Sequence, residues 1–96
     1  MSAAETVIIT DLGTKRQKRP FDPERLQQSV ESACLSVGLA AGTAHDFARS
    51  TVRSVTKWIS TKPEVTSSDL RRMATRYLTI ASPEAAYLYK HQHTML

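Results

Sequence analysis

The chain has 96 residues, 41% of them hydrophobic, and its 13 Lys and Arg against 9 Asp and Glu give a formal charge of +4 and a pI near 9.6. That length holds one small core, so a single domain over residues 1–96 is expected, with residues 1–5 and 93–96 as flexible ends. A lone cysteine, Cys34, excludes an internal disulfide and a cysteine-built zinc site, and no apolar run approaches the ~20 residues of a membrane span.

The N-terminus lacks the basic region and cleavage site of a signal peptide, so a soluble, cytoplasmic protein is expected. The basic balance favours phosphate-bearing partners without separating nucleotide from nucleic acid.

Thr6 to Thr10 (TVIIT) is β-branched throughout, and the DLG that follows supplies turn residues, so a hairpin of residues 6–10 and 14–20 is expected. Lys15, Arg16, Lys18 and Arg19 crowd its second strand, which suits an edge or a strand facing solvent on both sides. Alternation sends Lys15 and Arg19 near one face and Arg16 and Lys18 to the other, so no single face holds all four.

FDPERL is a helix start: Asp22 caps, Pro23 takes the first position where its missing N–H costs nothing, and Glu24 suits the positive dipole end. Leu26, Val30, Ala33, Cys34 and Val37 form the apolar stripe of a helix over 23–37, which Gly38 and Leu39 terminate. Cys34 on that stripe reads as a buried structural thiol. Thr43 with Asp46 resembles a capping box opening a helix over 43–60. Its core face is Phe47, Thr51 or Val52, Val55, Trp58 and Ile59, while Arg49, Arg53 and Lys57 make a solvated stripe.

TKPEVTSSD interrupts the helical pattern. Val65 can add a short third strand there, and Thr66 or Ser67 caps a helix over 67–80 that buries Leu70, Met73, Ala74, Tyr77 and Leu78. Ser82-Pro83-Glu84 repeats the cap and opens a last helix over 83–92 through Ala86, Tyr87, Leu88 and Tyr89. The fold class is α+β, mostly α: a four-helix bundle capped by a two- to three-stranded antiparallel sheet. No phosphate loop of the GxxxxGK[ST] kind and no Ser-His-Asp set emerges, so a non-catalytic protein without a metal site is expected.

The hairpin leading into PFDPERL, the ESAC of the first helix, EVTSSDLRR and SPEAAYLYK together resemble the ATP-cone. This is the nucleotide-binding regulatory domain of ribonucleotide reductases and of the repressor of their genes, and the resemblance covers nearly the whole chain. It implies a three-stranded sheet over a four-helix bundle, with ATP or dATP, with or without Mg2+, held between sheet and helices. In that family the phosphates meet a Lys-Arg pair ending the first strand before an Asp-Gly turn, and a Lys near the start of the first helix.

Here two alignments are open. With Gly13 as the turn glycine, Thr10 and Asp11 stand at the Lys-Arg positions; with Lys15-Arg16 as the pair, Gln17 and Lys18 are left to turn. The helix lysine becomes Arg25. Carried over, the nucleotide-binding residues are Lys15, Arg16, Arg25, Leu26, Ser67 and Arg71, the last on the adenine side, with Arg72 and Arg76 facing solvent.

The leading function is a free-standing ATP-cone-like module that binds ATP or dATP and controls association with itself or a partner protein. The alternative is a cone that has lost its nucleotide and serves as an interaction domain. A small basic nucleic-acid-binding protein, resting on charge alone, ranks last, and no membrane partner is expected.

Overall fold

In the computed structural model of the protein the described residues are 6–12 and 15–92, with the backbone alone for 10–12 and 15–17. The expected flexible ends, 1–5 and 93–96, and the expected turn at Gly13 lie outside them. The fold is α+β and mostly helical, with four helices and one small sheet.

Strand β1 (Val7–Leu12) pairs antiparallel with β2 (Lys15–Pro20), from Val7 opposite Pro20 to Leu12 opposite Lys15. On its other side β1 pairs parallel with β3 (Glu64–Thr66), Val7 lying opposite Glu64 and Ile9 opposite Thr66. The order is therefore β2-β1-β3, and the sheet is mixed rather than antiparallel as expected. A hairpin reverses the chain, but the link from β1 to β3 runs through two helices and brings the chain back in its original direction. In this register Lys15 and Arg16 open β2, and Gln17 and Lys18 are ladder residues opposite Thr10 and Ile9 rather than a turn.

Helix α1 (Pro23–Ser36) starts as expected, with the Asp22 side chain accepting from the amides of Glu24 and Arg25 and Pro23 in the first turn. It ends in a Schellman turn: Gly38 has φ 89°, its N–H donates to the Leu35 carbonyl, and the Leu39 N–H reaches the Cys34 carbonyl. Helix α2 (Ala41–Ile59) starts two residues earlier than expected. Ala40 stands at the cap with no side-chain bond, and the Ala44 N–H donates to the Ala40 carbonyl at 2.8 Å. Thr43 and Asp46 therefore lie inside the helix, not at a capping box. Helix α3 (Ser67–Ala81) is capped by Thr66, and α4 (Pro83–His91) by Ser82.

Helix α1 packs on α2 and α4, α3 packs on the same two, and the sheet leans on α3. The core joins Ile8 and Val65 of the sheet to Leu26, Val30 and Cys34 of α1, Val55 and Ile59 of α2, Leu70 and Leu78 of α3, and Tyr89 of α4. Several expected core residues are only partly buried, with Phe47, Trp58 and Tyr77 packed against its edge. Trp58, Met73 and Tyr77 are half-buried, and the Lys62 ammonium sits 5.3 Å above the Trp58 ring. Tyr87 is 69% exposed, its ring tilted against His91. No helix among the described residues is long and apolar enough to cross a membrane.

One knot fastens sheet to helices. The buried Thr6 hydroxyl lies 3.1 Å from the Ile59 carbonyl and 2.9 Å from that of Lys62, while the Val7 N–H donates to Pro63 and the Phe21 N–H to Thr6 itself. Thr6→Val keeps the shape but removes the one hydroxyl donor that these carbonyls share, while the Ile59 carbonyl keeps the Lys62 N–H at 2.9 Å, so thermal and urea unfolding should register a loss of about 0.5–1.5 kcal/mol. An unchanged midpoint would remove the knot from the stability account. Cys34 is fully buried, and burial first, then the Glu31 charge, pushes its thiol above the usual range. Alkylation of the native protein should accordingly be slow and should accelerate with sub-denaturing urea; rapid labelling without denaturant would contradict its place in the core.

Candidate functional site

The register that pairs Ile8 with Arg19 sets the site. Cross-strand partners share a face, and Ile8 belongs to the core, so Arg19 stands on the helix-facing side of the sheet and is half-buried there. Its neighbour Lys18 alternates to the other side, where it meets Glu64 at 3.4 Å in an exposed pair. Immediately after Arg19 the chain turns through Pro20 and the buried Phe21 into the Asp22 cap.

These residues enclose a cleft of about 230 Å³ between sheet and helices, lined by Ile8, Arg19, Pro20, Phe21, Asp22, Arg25, Leu26 and Leu70. Ile8, Phe21, Leu26 and Leu70 are buried and supply an apolar floor; Arg19 from β2 and Arg25 from the first turn of α1 supply the charge. Arg19 is held below the usual arginine range, by burial and then by the like charge of Arg25, with the Asp22 carboxylate acting the other way. Asp22 is the only acid lining the cleft among the described residues, and its Oδ1 already accepts from the amides of Glu24 at 3.1 Å and Arg25 at 3.2 Å.

Two guanidiniums that repel each other beside a single committed carboxylate leave one positive charge in excess. An anion entering between them relieves the repulsion and takes forked hydrogen bonds. Among the described residues the lining offers no second carboxylate, thiol or imidazole for proton transfer or metal ligation.

Of the residues expected to bind nucleotide, Arg25 and Leu26 meet in this cleft. Ser67, half-buried at the first position of α3, does not line it, although Leu70 one turn later does. Arg71 lines a separate hollow between α3 and α4. Lys15 and Arg16 lie at the other end of β2 from Arg19, and their side chains are outside the described residues. The set as a whole therefore does not converge on one place. Arg19, which the sequence offers with Lys15 as one pair of strand cations able to serve a phosphate, was not carried into the expected set. Alternation along the strand separates it from Lys18, but the inward face is known only once Ile8 is its partner.

No family model matches the chain, and no curated protein or solved structure matches it.

Because the Asp22 carboxylate serves two amides at the mouth of the cleft, Asp22→Ala should lower stability by about 1 kcal/mol in urea titrations, while Asp22→Asn, which keeps an acceptor oxygen, should cost much less. Equal losses for both would mean that charge, not the cap bond, sets the effect.

Proposed function

We propose that the protein is an ATP-cone-like regulatory module that takes ATP or dATP, with Mg2+ carried on the phosphates, at the cleft between the β1–β2 hairpin and α1, and changes its association with itself or a partner protein accordingly. The observation that carries this reading is the pair Arg19 and Arg25, two like charges held over an apolar floor where sheet meets helix. The order β-β-α-α-β-α-α supports it as well, because it resembles that of the ATP-cone. The cleft is smaller than the ~300 Å³ at which small-molecule pockets usually begin, so the ligand lies partly outside it and binds weakly. Regulation then needs only that two association states differ in affinity for the nucleotide, by about 1–3 kcal/mol in typical allosteric coupling.

A second reading, an interaction domain without nucleotide, is favoured by one observation: Asp22 occupies two of the first-turn amides that a phosphate at a helix N-terminus would use.

Amide NMR during titration with ATP and dATP separates the two. Shifts should gather on Ile8, on residues 19–26 and on Leu70, and Arg25→Ala should weaken binding by more than about 1.5 kcal/mol, over tenfold, as loss of a charged hydrogen bond implies. Absence of shifts at millimolar nucleotide, or an Arg25→Ala affinity equal to the parent's, would leave the interaction domain as the better account.

A further inference from the structure

A second concentration of positive charge lies away from the cleft. Ser68, Arg71, Arg72, Thr75 and Arg76 follow one another at i, i+3, i+4, i+7 and i+8, so they share one face of α3. With Lys90 of α4 they line a hollow of about 480 Å³. No carboxylate lines it among the described residues.

Asp69 takes one nitrogen of Arg72 at 2.8 Å from outside the hollow and leaves the other donors of that guanidinium open. Arg76 and Lys90 are exposed, and neither makes a hydrogen bond or ion pair with any described residue. Thr75 is committed, its hydroxyl donating to the Arg71 carbonyl at 2.8 Å. The charge available to a partner is thus that of Arg72, Arg76 and Lys90, with Ser68 in the first turn of α3 beside them.

The kind of partner follows from what the hollow lacks as much as from what it holds. Among the described residues no aromatic side chain lines it, so they give it no platform on which an unpaired base would stack. Among the described residues no apolar side chain lines it either, and its apolar surface comes from the carbon stems of the same Arg, Lys and Thr residues that carry its polar groups. Cations and a hydroxyl without a base-reading surface match the phosphate backbone, the part of a nucleic acid that positions a protein without specifying sequence. Arg72 and Arg76 are one turn apart, about 6 Å along the helix axis, a spacing that lets them meet two successive anionic groups. Hollows walled by one sign of charge also concentrate the field, and the chain as a whole carries +4.

We propose that the α3–α4 hollow binds the phosphate backbone of duplex nucleic acid. The site is independent of the nucleotide cleft and of its reading. It uses different helices and different residues, and it needs no contribution from Arg19 or Arg25.

The test is fluorescence anisotropy with a labelled duplex of roughly 20 base pairs, across about 50 to 200 mM salt. Removing two contacts in the double variant R76Q/K90Q should weaken binding by about tenfold or more at the lowest salt, alike for unrelated sequences. The slope of log affinity against log salt should become shallower by roughly 1.8. The double variant R49Q/R53Q removes the same charge from the exposed stripe of α2 and should stay within about twofold of the parent, as should Arg25→Ala.

Equal weakening by the two double variants would reduce the effect to net charge and overturn the proposal. So would an R76Q/K90Q protein that binds like the parent, or inorganic tripolyphosphate perturbing the Arg76 and Lys90 signals while the duplex does not bind.

Discussion

The hydroxyl of Thr6, buried against the carbonyls of Ile59 and Lys62, fastens the first strand to the end of α2. With the Val7 amide on Pro63 and the Phe21 amide on Thr6, it makes β1 the central strand of a sheet whose other members come from opposite sides of the α1–α2 pair. The helices are committed by this. Once β1 is held at the foot of α2, α1 must leave from the β2 side, α2 must return, and α3 must start directly from β3, where Thr66 is both a strand residue and the helix cap. Burial of Ile8 and Val65 against the helices then follows, because the parallel register places them side by side on the inner face.

The cleft is a by-product of that arrangement. A central β1 with Ile8 turned inward obliges its antiparallel partner Arg19 to turn inward too, although arginine on an inner face is costly unless its head reaches solvent or a counter-charge. Here it finds the rim, with Asp22 near enough to favour its charge and Arg25 near enough to oppose it. Asp22 therefore serves two ends. It satisfies first-turn amides of α1, a local need of the helix, and it offsets part of the repulsion between two arginines brought together by strand and helix.

Local signals were the legible part of this molecule. The Asp22-Pro23 and Ser82-Pro83 caps, the Gly38 stop and the stripes of α1 and α3 are determined within a few residues, and they lie where the residues say. What could not be read depends on chain segments far apart. The direction of β3 is set by the whole α1–α2 excursion and not by Glu64, Val65 or Thr66. Thr43 and Asp46 have the composition of a cap, but the Schellman turn at Gly38 had already delivered the chain to Ala40 in a conformation from which a helix starts.

The site divides in the same way. All six expected site residues, Arg25 and Leu26 included, were carried over by resemblance; the α1 cap places Arg25 and Leu26 at the cleft, Arg19 required the pairing register, and Arg71 faces the α3–α4 hollow instead.

The parallel pairing of β1 with β3 also bears on how the chain reaches this state. Thr6 and Lys62 are 56 residues apart in sequence, so the contact that centres the sheet requires closure of a loop spanning more than half the molecule. A two-stranded hairpin is marginal in water by itself, and β1 is synthesised before β3. Until β3 emerges, Ile8 and Ile9 have a strand edge and apolar side chains open to any other chain. The helices, being local, form quickly; the sheet must wait for them, and assembly of this mostly helical protein is paced by its few strand residues.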